Sequence, residues 1–502
     1  MGHTTLAGDA GPGPDYPQLM GHPRPLWMLF MSEFWERFAF YGMRWALTLY
    51  IVAQFYDGND AGQADASRTY GAYLALVYAT AVFGGYVADK ILGYQRSILL
   101  GAVVMAAGLF LVMVPNHALF MLGLATIIVG NGLFKPNISS MVGQLYAQGD
   151  SRRDRGFTLF YMGINAGALI APILTSILAN KVFGTPGHHN YHVVFAASGV
   201  GMLISLVWFW FGRRQLGPVG RPAPEQANRM RMLYVVLGVL ATIPLVYLLM
   251  DKAGAVAIQW LLTVLFLGVG VMLVIEAIRT GRVQIQRVIA MLIIFTFNVL
   301  FWMFFEQAGS SFNFLAQHIV DRNLGGWEFP IGWFQSVNPV AIVLLAPLIS
   351  LAWGWLDQRR VEPSIPRKFG LGLIGNALGF AVLMYALSAL VGDDGMIPLW
   401  TLVLCYVLQT AGELCLSPIG LSMVTKLAPA RLVGLGMGGW FLSTAIGNNL
   451  AGLFAGHVSG ASGMTVDSAL DGYTMGFWIL LGGGVVLFLV APLINRLMHG
   501  VR

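Results

Sequence analysis

The sequence predicts an all-α protein that crosses a membrane many times, and three observations support this fold class. Hydrophobic residues make up 57% of the 502 residues and charged residues only 10%, whereas soluble domains carry about 25% charged residues. The mean hydropathy is +0.70. Fourteen apolar segments approach the roughly 20 residues that a helix needs to cross a bilayer. A soluble chain could not solvate its surface with this composition, so we predict fourteen transmembrane helices.

The predicted spans follow one another along nearly the whole chain. The first six begin near Trp27, Tyr70, Ser97, Ala118, Gly156 and Val193. A segment rich in Arg and Pro, 213–230, precedes a pair of spans at about 232–250 and 254–278. The last six begin near Val288, Ile331, Phe369, Met396, Arg431 and Gly472. Residues 1–25 are polar, rich in Gly and Pro and without a signal-peptide core, so we predict a disordered cytoplasmic tail there.

The distribution of Lys and Arg predicts the orientation of these spans. With the N-terminus inside, outward segments hold only four of the 29 Lys and Arg residues, which are Arg68, Lys181, Lys252 and Arg322. Three lie at membrane depth, and the rest lie inward. Cytoplasmic loops carry such an excess of basic residues, which also explains the sequence pI of 9.3. Because the number of spans is even, we predict that both termini are cytoplasmic.

The first span contains four formal charges, which are Glu33, Glu36, Arg37 and Arg44. At about 100° per residue, these side chains share one helical face. A charge at the bilayer centre costs about 2.5–3.5 kcal/mol on translocon scales, so such side chains normally face a protein interior or a water-filled cavity. An amphipathic helix on the membrane surface is the alternative, but the apolar flanks and the many following spans favour a transmembrane helix.

Three further charges lie deep in predicted spans, and each belongs to a polar helical face. Lys135 aligns with Asn131 and Ser139. Glu306 shares a face with Asn298, Trp302, Ser310, Asn313 and Gln317, Glu413 shares one with Tyr406, Gln409, Thr410 and Ser417, and the fifth span offers Thr158, Tyr161 and Asn165. Polar faces on several helices at similar depth predict a central cavity that water can reach.

These features also have a purely structural interpretation. A lone Asn or Ser in a span is more often a contact between helices than a ligand, and Trp302 and Trp440 are more often packing residues. Ionisable groups at membrane depth favour a function, with structural ion pairing as the alternative. The deep set holds four acids and three bases. If every base pairs with an acid, one carboxylate is left for a proton or a substrate ammonium, while fully protonated or fully paired arrangements stay open.

Four motifs carry a resemblance to a known family. E-x-x-E-R-F at Glu33–Phe38, followed by Tyr41-Gly42, resembles the first-helix motif of the proton-dependent oligopeptide transporter (POT) family. Gly85–Arg96, Gly130–Ser140 and Phe160–Leu169 resemble further motifs of that family. The resemblance runs over the whole chain from Trp27, and the four motifs together are very specific.

The resemblance implies a major facilitator fold with two six-helix bundles. Gly85–Arg96 resembles the loop motif of that superfamily, and Gly354–Arg360 is a degenerate echo of it, which an ordinary basic loop would explain equally well. The bundles would span 26–212 and 286–502, with the substrate site between them. A cytoplasmic linker and an inserted helix pair, as in bacterial members of the family, would occupy 213–285.

The resemblance also implies a symporter that imports di- and tripeptides with protons by alternating access. It assigns the peptide carboxylate to Arg37 and Lys135, and the peptide amino terminus to Glu413. It assigns proton coupling to Glu33, Glu36, Arg37 and Glu306. The positions that match pocket-lining residues of the family are Tyr41, Tyr78, Asn165, Trp302, Asn338, Ser417 and Trp440.

We add Arg44 to the coupling set. The first and seventh core helices belong to different bundles, so an ion pair between them would be made and broken as the bundles move. We expect deprotonated Glu306 to pair with Arg44 first and with Lys135 second. Phe40 stands where the family motif has Tyr, so one pocket hydroxyl is missing. The second span lacks the histidine of animal relatives, which leaves coupling to carboxylates.

Other functions are disfavoured by particular residues. The alternative is a proton-coupled carrier of another small solute, such as nitrate or an amino-acid derivative, on the same fold, but Glu413 and the Glu33–Phe38 motif argue against an anion carrier. A channel would show no proton-driven accumulation. The sequence shows no clear nucleophile–base pair or metal-ligand cluster, so we expect neither an enzyme nor a cofactor. We expect a monomer in the cell inner membrane, whose partners are a small peptide, protons and lipid rather than nucleic acid.

Overall fold

The computed structural model describes residues 15–147, 150–185 and 189–501. These residues contain sixteen α-helices, which form fourteen spans because two spans are each built from two helices. Apolar length alone identifies eleven candidate spans, and one of them, Arg229–Thr280, is 52 residues long and holds two helices. The predicted all-α polytopic fold is therefore confirmed.

Seven helices form the first six spans, and their ends follow from local sequence. Pro25 lies in the first turn of the first helix, where its missing N–H leaves no partner unsatisfied. The Asn116 side chain accepts a hydrogen bond from the Leu119 backbone N–H at the start of another helix. The helices are α1 (Arg24–Arg44), α2 (Leu47–Phe55), α3 (Gln63–Val87), α4 (Tyr94–Val112), α5 (His117–Gln144), α6 (Arg153–Ile177) and α7 (Tyr191–Gly212).

Nine further helices and four short strands complete the described chain. The inserted pair is α8 (Arg229–Leu248) and α9 (Gly254–Thr280). The last seven are α10 (Arg282–Phe305), α11 (Ser311–His318), α12 (Val337–Gln358), α13 (Ile365–Ala389), α14 (Leu399–Leu427), α15 (Val433–Ser459) and α16 (Val466–Met498). Strands β1 (Gln18–Leu19) and β2 (His22–Pro23) pair antiparallel, and β3 (Val320–Asp321) and β4 (Ile397–Pro398) pair parallel.

The helices pack as two groups. Helices α1 to α7 pack on one another, as do α10 to α16, and these groups are called the N-group and the C-group below; the most extensive contact between the groups joins α3 and α15. Helix α8 packs on α5, whereas α9 packs on α10 and α15, so the inserted pair contacts both groups. The bundle limits at 26–212 and 286–502 stay a prediction. Because successive spans alternate in direction, α1 begins and α16 ends on one side, called the terminal side; the opposite side is the distal side.

The two groups are joined at the distal side. The Gln63 Oε1 atom accepts a hydrogen bond of 2.9 Å from the Met464 backbone N–H. Glycines let the backbones of α3 and α15 touch there, since a Cβ atom on Gly71 would lie 2.6 Å from the Cα atom of Gly452. Towards the terminal side the interior is more open, and the Tyr161 side chain on α6 is 46% exposed. The structure is therefore closed on the distal side.

The segment before α1 differs from the sequence prediction. We predict a disordered tail over 1–25; residues 1–14 lie outside the described residues, but the following segment is ordered against the N-group. The Tyr16 hydroxyl donates to the Leu216 carbonyl at 2.6 Å, and His22 Nδ1 lies 2.8 Å from the Tyr146 hydroxyl. These contacts pair buried polar groups and position the start of α1 at Arg24.

Candidate functional site

Two spans are interrupted where the helix groups meet. The first span breaks between α1 and α2 at residues 45–46, and the seventh core span breaks between α10 and α11 at Glu306–Ser310. Helical periodicity predicts both spans as continuous helices, which is wrong at these positions. Broken spans free backbone groups at membrane depth, and such groups are tolerated only where protein or a water-filled cavity satisfies them.

Side chains satisfy the carbonyls freed at the second break. The Ala308 carbonyl accepts hydrogen bonds from the Tyr406 hydroxyl at 3.2 Å and from the Gln335 amide. The Gly309 carbonyl accepts from Thr48 Oγ1 at 3.2 Å and from Asn313 Nδ2 at 3.1 Å. Because Thr48 belongs to the N-group, the break is stabilised from both groups.

The two breaks are also bonded to each other. Asn313 on α11 donates from Nδ2 to the Trp45 carbonyl at 2.9 Å and to Thr48 Oγ1 at 3.1 Å. Hydrogen bonds therefore join the helix break of the N-group to that of the C-group, next to the deep charges.

An ion pair crosses between the groups beside the breaks. The Arg44 guanidinium binds the Glu306 carboxylate, and both side chains are largely buried, at 11% and 5% exposure. Arg44 also donates from Nε to the Tyr70 hydroxyl at 2.6 Å and lies 5.6 Å from the Tyr41 ring centroid. The expected Arg44–Glu306 pair is present, while its role in proton coupling stays a prediction.

A second cluster of deep charges lies within the N-group. The Arg37 guanidinium contacts both carboxylates of its own helix, with Nε 3.3 Å from Glu33 Oε1 and Nη2 2.6 Å from Glu36 Oε1. Asn131 Nδ2 donates to the same Glu36 oxygen at 3.3 Å. All three charged side chains are at most 3% exposed. Arg37 is therefore already bound by two acids in this state.

Lys135 is held differently from the other deep cations. Its ammonium lies 4.5 Å from the Tyr78 ring centroid, a cation–π contact. It forms no ion pair with a carboxylate in the part of the chain that the structure describes, and its side chain is partly exposed.

Glu413 resembles Lys135 in that it forms no ion pair with a described residue. Its Oε2 atom accepts a hydrogen bond of 2.9 Å from Asn338 Nδ2, and the same amide lies 3.0 Å from Thr410 Oγ1. No basic side chain within 15–147, 150–185 or 189–501 forms an ion pair with it. The carboxylate has one polar neighbour on α12 and none of the deep bases.

The observed pairing therefore differs from the arrangement in which every deep base pairs with an acid. Two acids share Arg37, Glu306 pairs with Arg44, and neither Glu413 nor Lys135 forms an ion pair with any described residue. The difference arises because Glu33 and Glu36 lie one turn and one residue from Arg37 on the same helix. A cation of the N-group and an anion of the C-group thus stay unpaired.

A small enclosed cavity of about 30 Å³ lies between the groups. That volume holds only a few water molecules, at about 10–15 Å³ each. Its walls come from both groups and include Tyr41, Arg44, Ala168, Gln335, Asn338 and Gln409. The cavity is too small for a dipeptide, so solute binding requires the more open space towards the terminal side.

The predicted pocket residues occupy different environments. Tyr41 and Asn338 line the cavity, and Tyr78 lies under Lys135. Trp302 donates from Nε1 to Asn298 Oδ1 at 3.1 Å, and Asn165 donates to the Tyr161 carbonyl at 2.9 Å. The buried Ser417 hydroxyl has no hydrogen-bond partner in the described ranges. Trp440 is 5% exposed and packs on Gly420, Phe295 and Phe369. Trp440 is thus placed in the packed interior of the C-group.

Tyr70 and Gln335 belong to the site but are not predicted from the sequence. Tyr70 was expected at the edge of the second span, but α3 begins seven residues earlier, at Gln63, which carries the Tyr70 hydroxyl to Arg44. Gln335 precedes α12 and bonds the Ala308 carbonyl at the break. Neither has a sequence signal, since each depends on a neighbour distant in the chain.

Two helix groups joined on one side, with interrupted spans and deep charges at their interface, are the features of a membrane carrier built from two halves. A sequence profile described as the POT family matches residues 95–470. The chain belongs to the POT family, whose solved members share the major facilitator fold.

Similar proteins agree with this assignment. The chain is 37% identical over 507 residues to the peptide transporter YePEPT of Yersinia enterocolitica, covering 96% of each chain. It is 34% identical to dipeptide and tripeptide permease A of Yersinia pestis, covering 90% of this chain and 86% of the permease.

Solved structures give the same result. A mutant of the peptide transporter POT in complex with alafosfalin matches with a TM-score of 0.83 at 32% identity, covering 96% of this chain and 97% of that one. Tetrameric PepTSo2 matches with a TM-score of 0.78 at 28% identity, covering 94% and 98%.

Proposed function

We propose that the protein is a proton-coupled symporter that imports di- and tripeptides across the cell inner membrane. The observation that carries the proposal is the pair of unpaired deep charges, Lys135 in the N-group and Glu413 in the C-group. A peptide is a zwitterion, so its carboxylate and ammonium can neutralise these two groups at once. The names of the similar transporters and permeases support peptides as the solute.

Arg37 takes a second role in this proposal. Its guanidinium is bound by Glu33 and Glu36, so Lys135 meets the peptide carboxylate first. Protonation of one of the two acids weakens their hold on Arg37 and lets the guanidinium share the carboxylate. Peptide binding and proton binding at this cluster then support each other.

The structure represents the inward-facing state if the terminal side is cytoplasmic, as the Lys and Arg distribution predicts. Closure on the distal side and the exposed Tyr161 towards the terminal side support a site that opens to the terminal side. The N-group and the C-group then act as the two moving bundles, and the Arg44–Glu306 pair is one contact that closes them. Release of that pair on protonation of Glu306 couples proton movement to reopening.

The assembly and chemistry follow from the same proposal. All the deep ionisable groups are used for binding or coupling, so we propose a carrier without catalytic activity or cofactor. Within the described residues no cluster of His, Cys, Asp or Glu could hold a metal ion. We propose that a monomer suffices for transport, because the site lies within one chain; the tetrameric relative makes oligomeric state a separate measurement.

Uptake of labelled dialanine into proteoliposomes tests the proposal. We expect accumulation above the external concentration with an inward proton gradient, and only equilibration without one. The control is the Lys135→Ala/Glu413→Gln double variant, reconstituted to the same density. Equal uptake in the double variant would contradict the site, and equal accumulation without a gradient would contradict proton coupling.

A further inference from the structure

A second cavity lies on the distal side, at the seam between the two groups. Its volume is about 180 Å³. The N-group contributes Asn180, Lys181 and Tyr191, and the C-group contributes Arg322, Trp327 and Glu328. None of these residues belongs to the central site, and the cavity is called the seam pocket below.

Trp45 separates the seam pocket from the central site. Its indole lines the pocket, donates from Nε1 to Thr175 Oγ1 at 2.9 Å, and packs so closely on Gly332 that a Cβ atom there would lie 2.8 Å from the ring. The backbone carbonyl of the same residue accepts from Asn313 at the helix breaks. The seam pocket therefore lies on the distal side of Trp45, whose backbone is bonded at the helix breaks.

The pocket offers a free cation. The Lys181 ammonium lies 5.4 Å from the Trp327 ring centroid and pairs with no carboxylate of the described residues. Arg322, in contrast, is already used: it donates to the carbonyls of Ala316 at 2.7 Å and Phe329 at 2.9 Å, and pairs with Glu328 at 2.6 Å. Among the described lining residues, Lys181 is thus a basic group with capacity for an incoming carboxylate, and His189 also lines the pocket.

The pocket also offers acceptors for a cation. The Oδ1 atom of Asn180 is buried and has no donor among the residues that the structure describes. The Glu328 carboxylate is 63% exposed and keeps acceptor capacity beyond its Arg322 contact. The aromatic rings of Trp45, Tyr191 and Trp327 complete the wall. The pocket therefore presents a cation, two acceptors and an apolar surface, a combination that suits a small molecule carrying both an ammonium and a carboxylate.

We propose that the seam pocket binds a small zwitterion, with its carboxylate at Lys181 and its ammonium at Asn180 Oδ1 and Glu328. A cavity of about 150 Å³ holds benzene, so 180 Å³ accommodates an amino acid or a dipeptide of small residues. The pocket selects against larger peptides by volume.

Occupancy of this pocket favours one conformation. Its walls come from both groups, so they separate when the distal side opens, and the pocket exists only in the distally closed state. A ligand that binds one state shifts the population towards it. The next step rests on the proposed function: dialanine at high external concentration fills the seam pocket, delays reopening and inhibits its own uptake.

The experiment measures initial dialanine uptake in proteoliposomes against rising external dialanine. For the wild type we expect the rate to pass through a maximum and fall by about twofold when half of the carriers are held closed. Lys181→Ala should abolish the fall and leave the rate at low dialanine unchanged. Lys252→Ala is the matched control, since Lys252 is an exposed distal lysine paired with Asp251. A wild-type rate that only saturates, or a fall that persists in Lys181→Ala, would overturn the proposal.

A binding measurement separates this inference from the proposed function. The Glu413→Gln variant weakens the central site while leaving the seam pocket intact. In detergent, dialanine should still raise the melting temperature of Glu413→Gln and of Glu413→Gln/Lys252→Ala, but not of Glu413→Gln/Lys181→Ala. Equal shifts in all three would overturn the seam pocket, whatever the transport assays show. If the wild type shows no proton-driven uptake but the melting temperatures shift as expected, only the transport proposal would be overturned.

Discussion

Glu413 has one hydrogen-bond donor, Asn338 Nδ2, and no basic partner within the described ranges. We expect Glu413→Gln to weaken binding of peptides with a free amino terminus roughly tenfold to over a hundredfold, because a charge-assisted hydrogen bond is worth about 1.5–3 kcal/mol. N-blocked peptides should lose much less, since they bring no ammonium. Competition of both peptide types against labelled dialanine measures the difference.

The matched control for this prediction keeps the carboxylate and removes its neighbour. Asn338→Ala keeps the Glu413 carboxyl group, so free-amine peptides should keep most of their advantage over blocked ones. Equal losses for free and blocked peptides in Glu413→Gln would show that Glu413 does not bind the amino terminus.

Arg37 and Lys135 provide the second prediction at this scale. Arg37 engages two carboxylates through a planar guanidinium, and lysine cannot reproduce that geometry. We therefore expect Arg37→Lys to reduce dialanine uptake by at least about tenfold, as one lost charge-assisted bond would. Peptide amides, which carry no carboxylate, should compete poorly with free acids. Arg68→Lys is the control, because Arg68 pairs with Asp65 on the exposed distal surface.

Normal uptake by Arg37→Lys would contradict the role of Arg37. Amides that compete as well as free acids would contradict the role of both cations. If Lys135→Ala alone removes the preference for free acids, the carboxylate belongs to Lys135.

Some contacts of single residues could be predicted from sequence and others could not. The Arg44–Glu306 pair was predictable, because few deep charges exist and these two opposite charges lie in different groups. The hydrogen bond from Arg44 to the Tyr70 hydroxyl was not predictable. In the sequence, Tyr70 looks like any other packing residue of its span, and only the position of α3 brings it to Arg44. The residual charges on Lys135 and Glu413 could not be predicted either, because they follow from the observed pairing of Arg37 with both acids.

At the scale of helices, the interrupted spans had no reliable local signal. Proline lies inside α5, α6 and α14 without ending them, whereas the first span breaks at Trp45 without a proline or a glycine. The breaks persist because side chains of the opposite group satisfy the freed carbonyls. Such partners are distant in sequence, so periodicity predicts a continuous helix.

Asn313 is the residue that ties the two breaks together. It donates to the Trp45 and Gly309 carbonyls and to Thr48 Oγ1. Asn313→Ala leaves these acceptors without that donor, so we expect the distally closed state to lose population. Spin labels on Asp57→Cys and Asp467→Cys, both on the distal side, should report a larger fraction of long distances.

The control for this measurement lies on the same short helix. Gln317 is exposed on α11, so Gln317→Ala should leave the distance distribution unchanged. An unchanged distribution in Asn313→Ala would show that the breaks do not hold the distal side closed.

The segment before α1 predicts a pH effect. Burial and the nearby Arg155 and Arg152 lower the pKa of His22, while Asp150 opposes them. The undocked segment therefore binds a proton more readily than the docked one, and docking is lost as the pH falls below about 6.5, the ordinary value for histidine. Wild-type melting temperature in detergent should fall more between about pH 7.5 and 5.5 than that of His22→Asn. Equal losses would exclude His22 as the cause.

For the whole molecule, composition predicted the class and the number of spans, but not how charge is divided between the groups. The first span and α15 lie outside the eleven spans that apolar length identifies in the described residues. The first span carries charges and α15 carries small residues, and both contact the opposite group. Hydropathy is therefore least informative in these two spans of the interface, whereas it identifies the spans that carry Lys135, Glu306 and Glu413.

The Arg44–Glu306 pair joins the two groups across the interior of the molecule, so its effect belongs to the whole transport cycle. In the proposed cycle, deprotonated Glu306 holds Arg44 and keeps the groups together, and protonation cancels the charge and releases them. Glutamine keeps the shape of the side chain but neither titrates nor carries charge. Removing the titrating group should therefore uncouple proton movement from transport without removing the peptide site.

We expect Glu306→Gln to lose gradient-driven accumulation of dialanine, so that the internal concentration only reaches the external one. Peptide counterflow requires no net proton movement, so it should persist. If the pair is only structural, the variant should instead unfold, because a buried Arg44 without its partner costs about 3–5 kcal/mol. Thermal stability in detergent, measured beside both transport assays, separates the two outcomes. A stable Glu306→Gln that still concentrates dialanine with a pH gradient would show that coupling runs through another group, and Glu33 and Glu36 would be tested next.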